Sequence, residues 1–223
     1  MKTTASLILG GTACRCVADP ETGPWHSLFD GKTTAGWRGY RKPDFPKQGW
    51  VVEDGCLKKV AGVRGGDIVT EAEYEDFELE WEWKLPPRAN NGVKYLVTES
   101  RPSAPGHEYQ MIDDSIVRDP RSKTATFYDV LPLSVPSPLK PSGEWNLSRI
   151  RVHGNHVEHW LNGVKVVEYE LGSTEIKAAL ARTKFRDEPG FGEKIKGRIM
   201  LTDHTDEAWF RNLRIRKLSP PKP

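Results

Sequence analysis

Three glutamates on one short stretch are the first residues whose types and spacing could do chemistry. Phe77 to Leu85 reads F-E-L-E-W-E-W-K-L and alternates without a fault. An extended strand puts Phe77, Leu79, Trp81, Trp83 and Leu85 on one side and Glu78, Glu80, Glu82 and Lys84 on the other. Alternate side chains on a strand stand roughly 6.5–7 Å apart. That is close to the separation at which paired carboxylates share acid–base work on a glycosidic bond. The same pattern also fits a solvated outer face of a half-buried sheet. The two tryptophans require a second layer packed against the apolar side.

A second group with chemical potential is the triple His153, His156 and His159. Tight turns at Gly154-Asn155 and Asn162-Gly163 set the register of three short strands: 149–153, 156–161 and 164–169. In that register His153 faces His156, Arg151 faces Glu158, and Arg149 faces Trp160 on one face. Ile150, Val152, Val157, Leu161, Val164 and Val166 take the core face. His159 falls among them, away from the other two histidines. Zinc needs ligands that converge on one point, so the triple is not a zinc site. Asp113, Asp114, Asp203 and Asp206 offer the oxygen ligands that a divalent, calcium-like ion takes, but their spacing makes no recognised loop.

The elements that must position these residues are strands. The chain has 223 residues, 17 prolines and 20 glycines, with few helical windows, which predicts one all-β sandwich. Net charge is +2 with both signs interspersed, so nothing marks a nucleic-acid partner. Trp50 to Leu57 reads as a hairpin with Asp54-Gly55 at its tip, and Asp67 to Thr70 as a short strand. Asn90-Asn91-Gly92 reads as a turn before a strand over Val93 to Thr98. His107 to Asp113 reads as a strand with Glu108, Gln110 and Ile112 on one face. Leu131 to Pro141 carries four prolines and reads as an extended loop, a candidate rim for a site. Ser173 to Arg182 is the one helix expected, capped by Ser173 or Thr174. Gly197 to His204 and Trp209 to Leu218, with Arg211, Arg214 and Arg216, complete the strands.

Residues 1–16 differ from the rest. Lys2, a short apolar run and Thr12-Ala13-Cys14 resemble a secretory signal ending in a lipoprotein-like cleavage site, although Gly11 stands where leucine is usual. This predicts a periplasmic or extracellular protein, with Cys14 as a candidate lipid anchor. The run is too short to span a bilayer, and no later segment does so. Cys56 reads as a buried strand residue, and no disulfide framework follows.

Several motifs together resemble the bacterial 3-keto-disaccharide hydrolase domain family. They are Leu28 to Trp37, Gly66-Asp67-Ile68 with Phe77-Glu78-Leu79, Asn91-Gly92-Val93, and Glu108 to Asp113. Gly143 to Asn146, Val157 to Gly163, Asp203-His204 and Phe210-Arg211-Asn212 complete the set. The resemblance runs over 25–218. Thr202 and Thr205 flank the Asp-His pair where the family often has Gln and Gly. The family implies a jelly-roll sandwich of two antiparallel sheets, of the concanavalin A-like lectin/glucanase type.

The family also implies cleavage of glycosides already oxidised at C3. A C3 ketone acidifies the C2 hydrogen. A base removes it, donors hold the enolate oxygen, the C1 substituent leaves, and water adds to the enone. The catalytic candidates are Glu82 and His204 as bases, with Glu80 a second choice to Glu82, and Gln110 as a donor. Asn91, Arg149 and Arg151 are further donors, Glu108, Asp113 and Asp203 fix donors or bind hydroxyls, and Tyr128 and Trp160 give stacking faces. Two other classes stay open: a carbohydrate-binding module without catalysis, and a glycosidase using Glu78, Glu80 and Glu82. The expected partner is a carbohydrate.

Overall fold

The computed structural model describes residues 22–101 and 103–221. The signal-like segment and Cys14 lie outside them. The strands are β1 (His26–Ser27), β2 (Trp37–Gly39), β3 (Trp50–Glu53), β4 (Cys56–Lys59), β5 (Ile68–Thr70), β6 (Phe77–Lys84) and β7 (Asn90–Val97). They continue with β8 (His107–Ile112), β9 (Asn146–His153), β10 (His156–Leu161), β11 (Val164–Glu170), β12 (Arg198–Leu201) and β13 (Ala208–Lys217). The helix α1 spans Thr174–Leu180, with Ser173 Oγ accepting from Ile176 N. One antiparallel sheet runs β11-β10-β9-β6-β13-β4-β3, with β1 added to β13; the other runs β2-β5-β12-β7-β8. This is the two-sheet sandwich with one short helix that the strand patterns predict.

The apolar side of β6 does what its alternation requires. Phe77, Leu79, Trp81 and Trp83 are buried between the sheets. Trp81 meets Tyr109 of the opposite sheet edge-on, ring centroids 4.9 Å apart. Ser148 Oγ accepts from Trp83 Nε1 and also bonds Tyr109 Oη, each at 2.8 Å, so one hydroxyl ties β6, β8 and β9 together.

A buried chain of rings crosses the same core, and its direction can be deduced. Gly192 N donates to His107 Nε2 at 3.0 Å, so that nitrogen carries no proton. His107 Nδ1 therefore donates to Tyr169 Oη at 3.1 Å. At the other end His159 Nδ1 meets the Ala125 carbonyl at 2.9 Å and must donate, so its Nε2 accepts from Tyr95 Oη at 2.7 Å. The Tyr169 hydroxyl then donates to Tyr95 Oη at 2.6 Å. Every group is satisfied only when both imidazoles are neutral. Burial pushes His107 down to about 3 and His159 to about 4.

Two local expectations need correction. Asn90-Asn91-Gly92 is not a turn but the start of β7. Gly92 pairs with Gln110 of β8, and the reversal is made earlier, where Ala89 N bonds Pro86 O and Arg88 has a φ of 66°. Val164 is 41% exposed rather than in the core, because it sits at the turn. A register shift at His159/Trp160 then brings both Val166 and Val167 inside. The proline-rich stretch is extended, as predicted, and runs along β11, where Ser134 N bonds Val166 O at 2.8 Å. That covers the edge of the larger sheet.

Candidate active site

The outer face of the larger sheet carries the three glutamates of β6, and the register supplies each with arginines. Glu78 lies between Arg151 of β9 and Arg216 of β13, Glu80 between Arg149 and Arg214, and Glu82 beside Arg211. Arg149 Nη2 and Arg214 Nη2 each reach a Glu80 oxygen at 2.6 Å. Glu78 pairs with Arg216 and Arg151. On Glu82, Oε2 takes Arg211 and Oε1 takes Asn212 Nδ2 at 2.7 Å. Burial alone would raise the Glu82 carboxyl, but Asn212 and Arg211 outweigh it and hold the group below the usual carboxylate range. Held this way, Glu82 is a poor proton acceptor near neutral pH.

The outer face of the smaller sheet is built differently. Glu108 and Gln110 of β8 stand opposite Lys94 and Gly92 of β7, on one face. Lys94 Nζ is 3.6 Å from Glu108 Oε2, and His204 Nε2 is 3.9 Å from Oε1. Burial would raise the Glu108 carboxyl; Lys94 and His204 together hold it below the ordinary value. Asp67, beside this group, is raised instead, chiefly by burial. The His204 side chain is 40% exposed, while that of Glu108 is 10% exposed. An accessible imidazole thus stands against an enclosed carboxylate. Gly92 makes room for it, since a Cβ there would collide with Glu108 Oε1.

Asp203 presents His204. Its carboxylate accepts from Gly65 N, Gly66 N and Thr205 N at 2.7–2.8 Å and pairs with buried Lys59 at 3.0 Å. Asp203 N in turn donates to Asp67 Oδ1 at 2.7 Å. Burial opposes the Asp203 charge, but those N–H groups and Lys59 keep it below the usual range. The result is a hollow of about 260 Å³ lined by Arg64, Gly66, Asp203, His204 and Thr205.

The structure therefore brings some expected residues together and separates others. His204, Glu108, Gln110 and Asp203 share the smaller sheet's side, and Tyr128 joins them, its N–H bonded to Glu108 O at 3.0 Å. Gln110 is 3% exposed, and its Oε1 accepts from Met111 N. Asn91 is enclosed, its amide spent on Thr202 O and Gly92 N. Asp113 caps a short turn and accepts from Arg88 N and Ser115 N. Glu80, Glu82, Arg149, Arg151 and Trp160 lie on the opposite face of the sandwich, so they cannot serve the same bound sugar.

Asp67, Lys94 and Lys184 were not singled out as candidates from the sequence. Lys184 lies 4.4 Å from the Tyr128 ring centroid and contributes to holding Glu108 ionised. For Asp67 the motif Gly66-Asp67-Ile68 was the available signal; for the two lysines there was none. The four aspartates considered for a cation are each committed to backbone donors, Asp114 to Thr124 N and Asp206 to Asn90 N. Among the described residues, His156, Glu158 and Glu168 do converge, but Lys165 Nζ already lies 2.6 Å from Glu168 and 3.3 Å from Glu158. His159 is buried away from that cluster, as the turns predicted.

The catalytic domain of a laminarinase from Thermotoga petrophila superposes with a TM-score of 0.51 at 13% identity, covering 88% of this chain and 97% of that one. A glycosyl hydrolase candidate from Parabacteroides distasonis superposes with a TM-score of 0.78 at 31% identity, covering 87% and 94%. The fold is thus a jelly-roll sandwich of the concanavalin A-like lectin/glucanase type. The profile of the 3-keto-alpha-glucoside-1,2-lyase-like domain matches residues 24–216. A 3-keto-disaccharide hydrolase of Bacteroides thetaiotaomicron is 34% identical over 229 residues, spanning 86% of this chain and 78% of the relative. The chain belongs to the 3-keto-alpha-glucoside-1,2-lyase-like domain family.

Proposed function

We propose that this protein cleaves glycosides whose sugar is oxidised to a ketone at C3, with His204 as the base. The observation that carries the reading is the accessible His204 imidazole 3.9 Å from the enclosed Glu108 carboxylate. His204 takes the C2 proton, and Glu108 stabilises the imidazolium that forms. Charge moves to the C3 oxygen, where the Lys94 ammonium is the nearest cation on the same face. The electron pair then expels the C1 substituent, giving a C1–C2 double bond conjugated with the ketone. The imidazolium returns its proton to the departing oxygen, and water adds to the enone. Export directed by residues 1–16 would place the reaction in the periplasm or outside the cell.

The test mixes the purified protein with a 3-keto-glucoside and with its unoxidised parent and follows aglycone release. Release from the keto sugar alone, with a slower rate when C2 carries deuterium, is expected. Equal release from the parent would mean ordinary glycoside hydrolysis and would overturn the enolate route.

A further inference from the structure

A second hollow lies on the other face of the sandwich. It holds about 450 Å³, within the range of about 300–1,000 Å³ usual for small-ligand sites. Its lining includes Trp25, Phe29, Glu80, Glu82, Asn212 and Arg214. The proposed chemistry uses none of these residues.

The arginine ladder leaves specific groups over. Glu82 Oε2 takes two N–H groups from Arg211 and Oε1 takes one from Asn212, which leaves one lone pair of a carboxylate's roughly four. Arg214 gives Nε and Nη2 to Glu80, and its Nη1 takes no partner among the described residues. Asn212 Oδ1 is likewise unbonded among them. Asn212 owes its direction to a bulge in β13, where the register shifts between Arg211 and Arg214 and Asn212 adopts a φ of 51°. Trp25 is held beside the hollow by Arg214 and Arg216, 4.6 and 4.8 Å from its ring centroid.

Charge selects the ligand class. The carboxylates of Glu80 and Glu82 disfavour an anion, and the arginines beside them disfavour a cation. What remains is neutral and must both donate, to Glu82 and Asn212, and accept, from Arg214, beside an aromatic surface. We infer that this hollow is a second, non-reacting carbohydrate site that takes a neutral pyranose or disaccharide. It does not depend on the reaction assigned to His204.

The test is calorimetric titration of the full chain with maltose and, separately, cellobiose, as α- and β-linked probes. At least one is expected to bind with a Kd on the order of 1 mM. Trp25→Ala and Asn212→Gly should each weaken that binding about tenfold, a change of roughly 1.4 kcal/mol. Glycine keeps the backbone of residue 212 while removing its amide, which covers the case in which loss of Trp25 harms folding. His204→Ala should bind the probes unchanged. No binding by either probe, or binding that survives either hollow variant, overturns the proposal. So does binding lost in His204→Ala, which would assign the sugar to the other face. Cleavage of a 3-keto-glucoside is read separately and should be unaltered in Trp25→Ala.

Discussion

Both outer faces of the sandwich set carboxylates beside cations, yet the two groupings are built to opposite ends. On the larger sheet the partners sit directly across from one another in register, and Glu80 is gripped from both sides at 2.6 Å. On the smaller sheet the charged partners of the Glu108 carboxylate stand at 3.6 and 3.9 Å, and one of them is an accessible histidine on a loop. Short forked contacts between fixed strands hold a charge in place and leave it little room to move toward a reacting group. Longer contacts to a group that can gain a proton leave it free to respond to a ligand. Acidic residues on a sheet face therefore do not by themselves identify chemistry; how tightly their pairs are held is what separates the two faces.

The sharpest way to break this contrast is to remove one member of each face. His204→Ala should lower turnover of a 3-keto-glucoside by about 10²–10⁴-fold, while stability changes by no more than about 0.5 kcal/mol. A rate near wild type would take the chemistry away from the smaller sheet. Glu80→Ala should do the reverse. It removes charge-assisted bonds to two partly exposed arginines and should cost about 1–3 kcal/mol in urea denaturation, with turnover per folded molecule kept. Lost turnover in a stable Glu80→Ala protein would return the reactive role to β6.

A smaller effect is expected from Gly92→Ala, which never touches substrate. The added methyl displaces Glu108 from His204, and kcat should fall about tenfold or more. An unchanged kcat would mean that the Glu108–His204 distance does not matter. The most gradual effect is one of pH. His107 and His159 are depressed in the folded state to about 3 and about 4. Their contribution is therefore complete above about pH 6.5 and declines as pH falls toward those values, by about 1.4 kcal/mol per unit for each. Stability that stays level from about pH 6.5 to about pH 5 would contradict the neutral core pair.

Much of the architecture was legible in the residues. The alternation of F-E-L-E-W-E-W-K located β6 and its buried side, and the turn at Gly154-Asn155 set the pairing of β9 with β10. The partners of the glutamates were not legible. Arg149 is 69 residues from Glu80, and Arg214 is 134. Only the sheet order decides that they meet. Lys94 shows the same limit, because a lone lysine among strand residues carries no sign of what it will face. Gly92 was legible as a glycine and misread as a turn. It is a strand position kept empty for a neighbour's carboxylate, a requirement that exists only after β7 and β8 have paired.

The one-way chain from Gly192 through His107, Tyr169, Tyr95 and His159 to Ala125 has an evolutionary consequence. Phenylalanine in place of Tyr95 alone leaves His159 Nε2 without a donor and the Tyr169 hydroxyl without an acceptor, so single steps at these four positions pass through a damaged core. Relatives should therefore keep the four residues as a set or exchange them in concert. Aligned sequences would then show covariation among β7, β8, β10 and β11 at sites that no sugar ever touches.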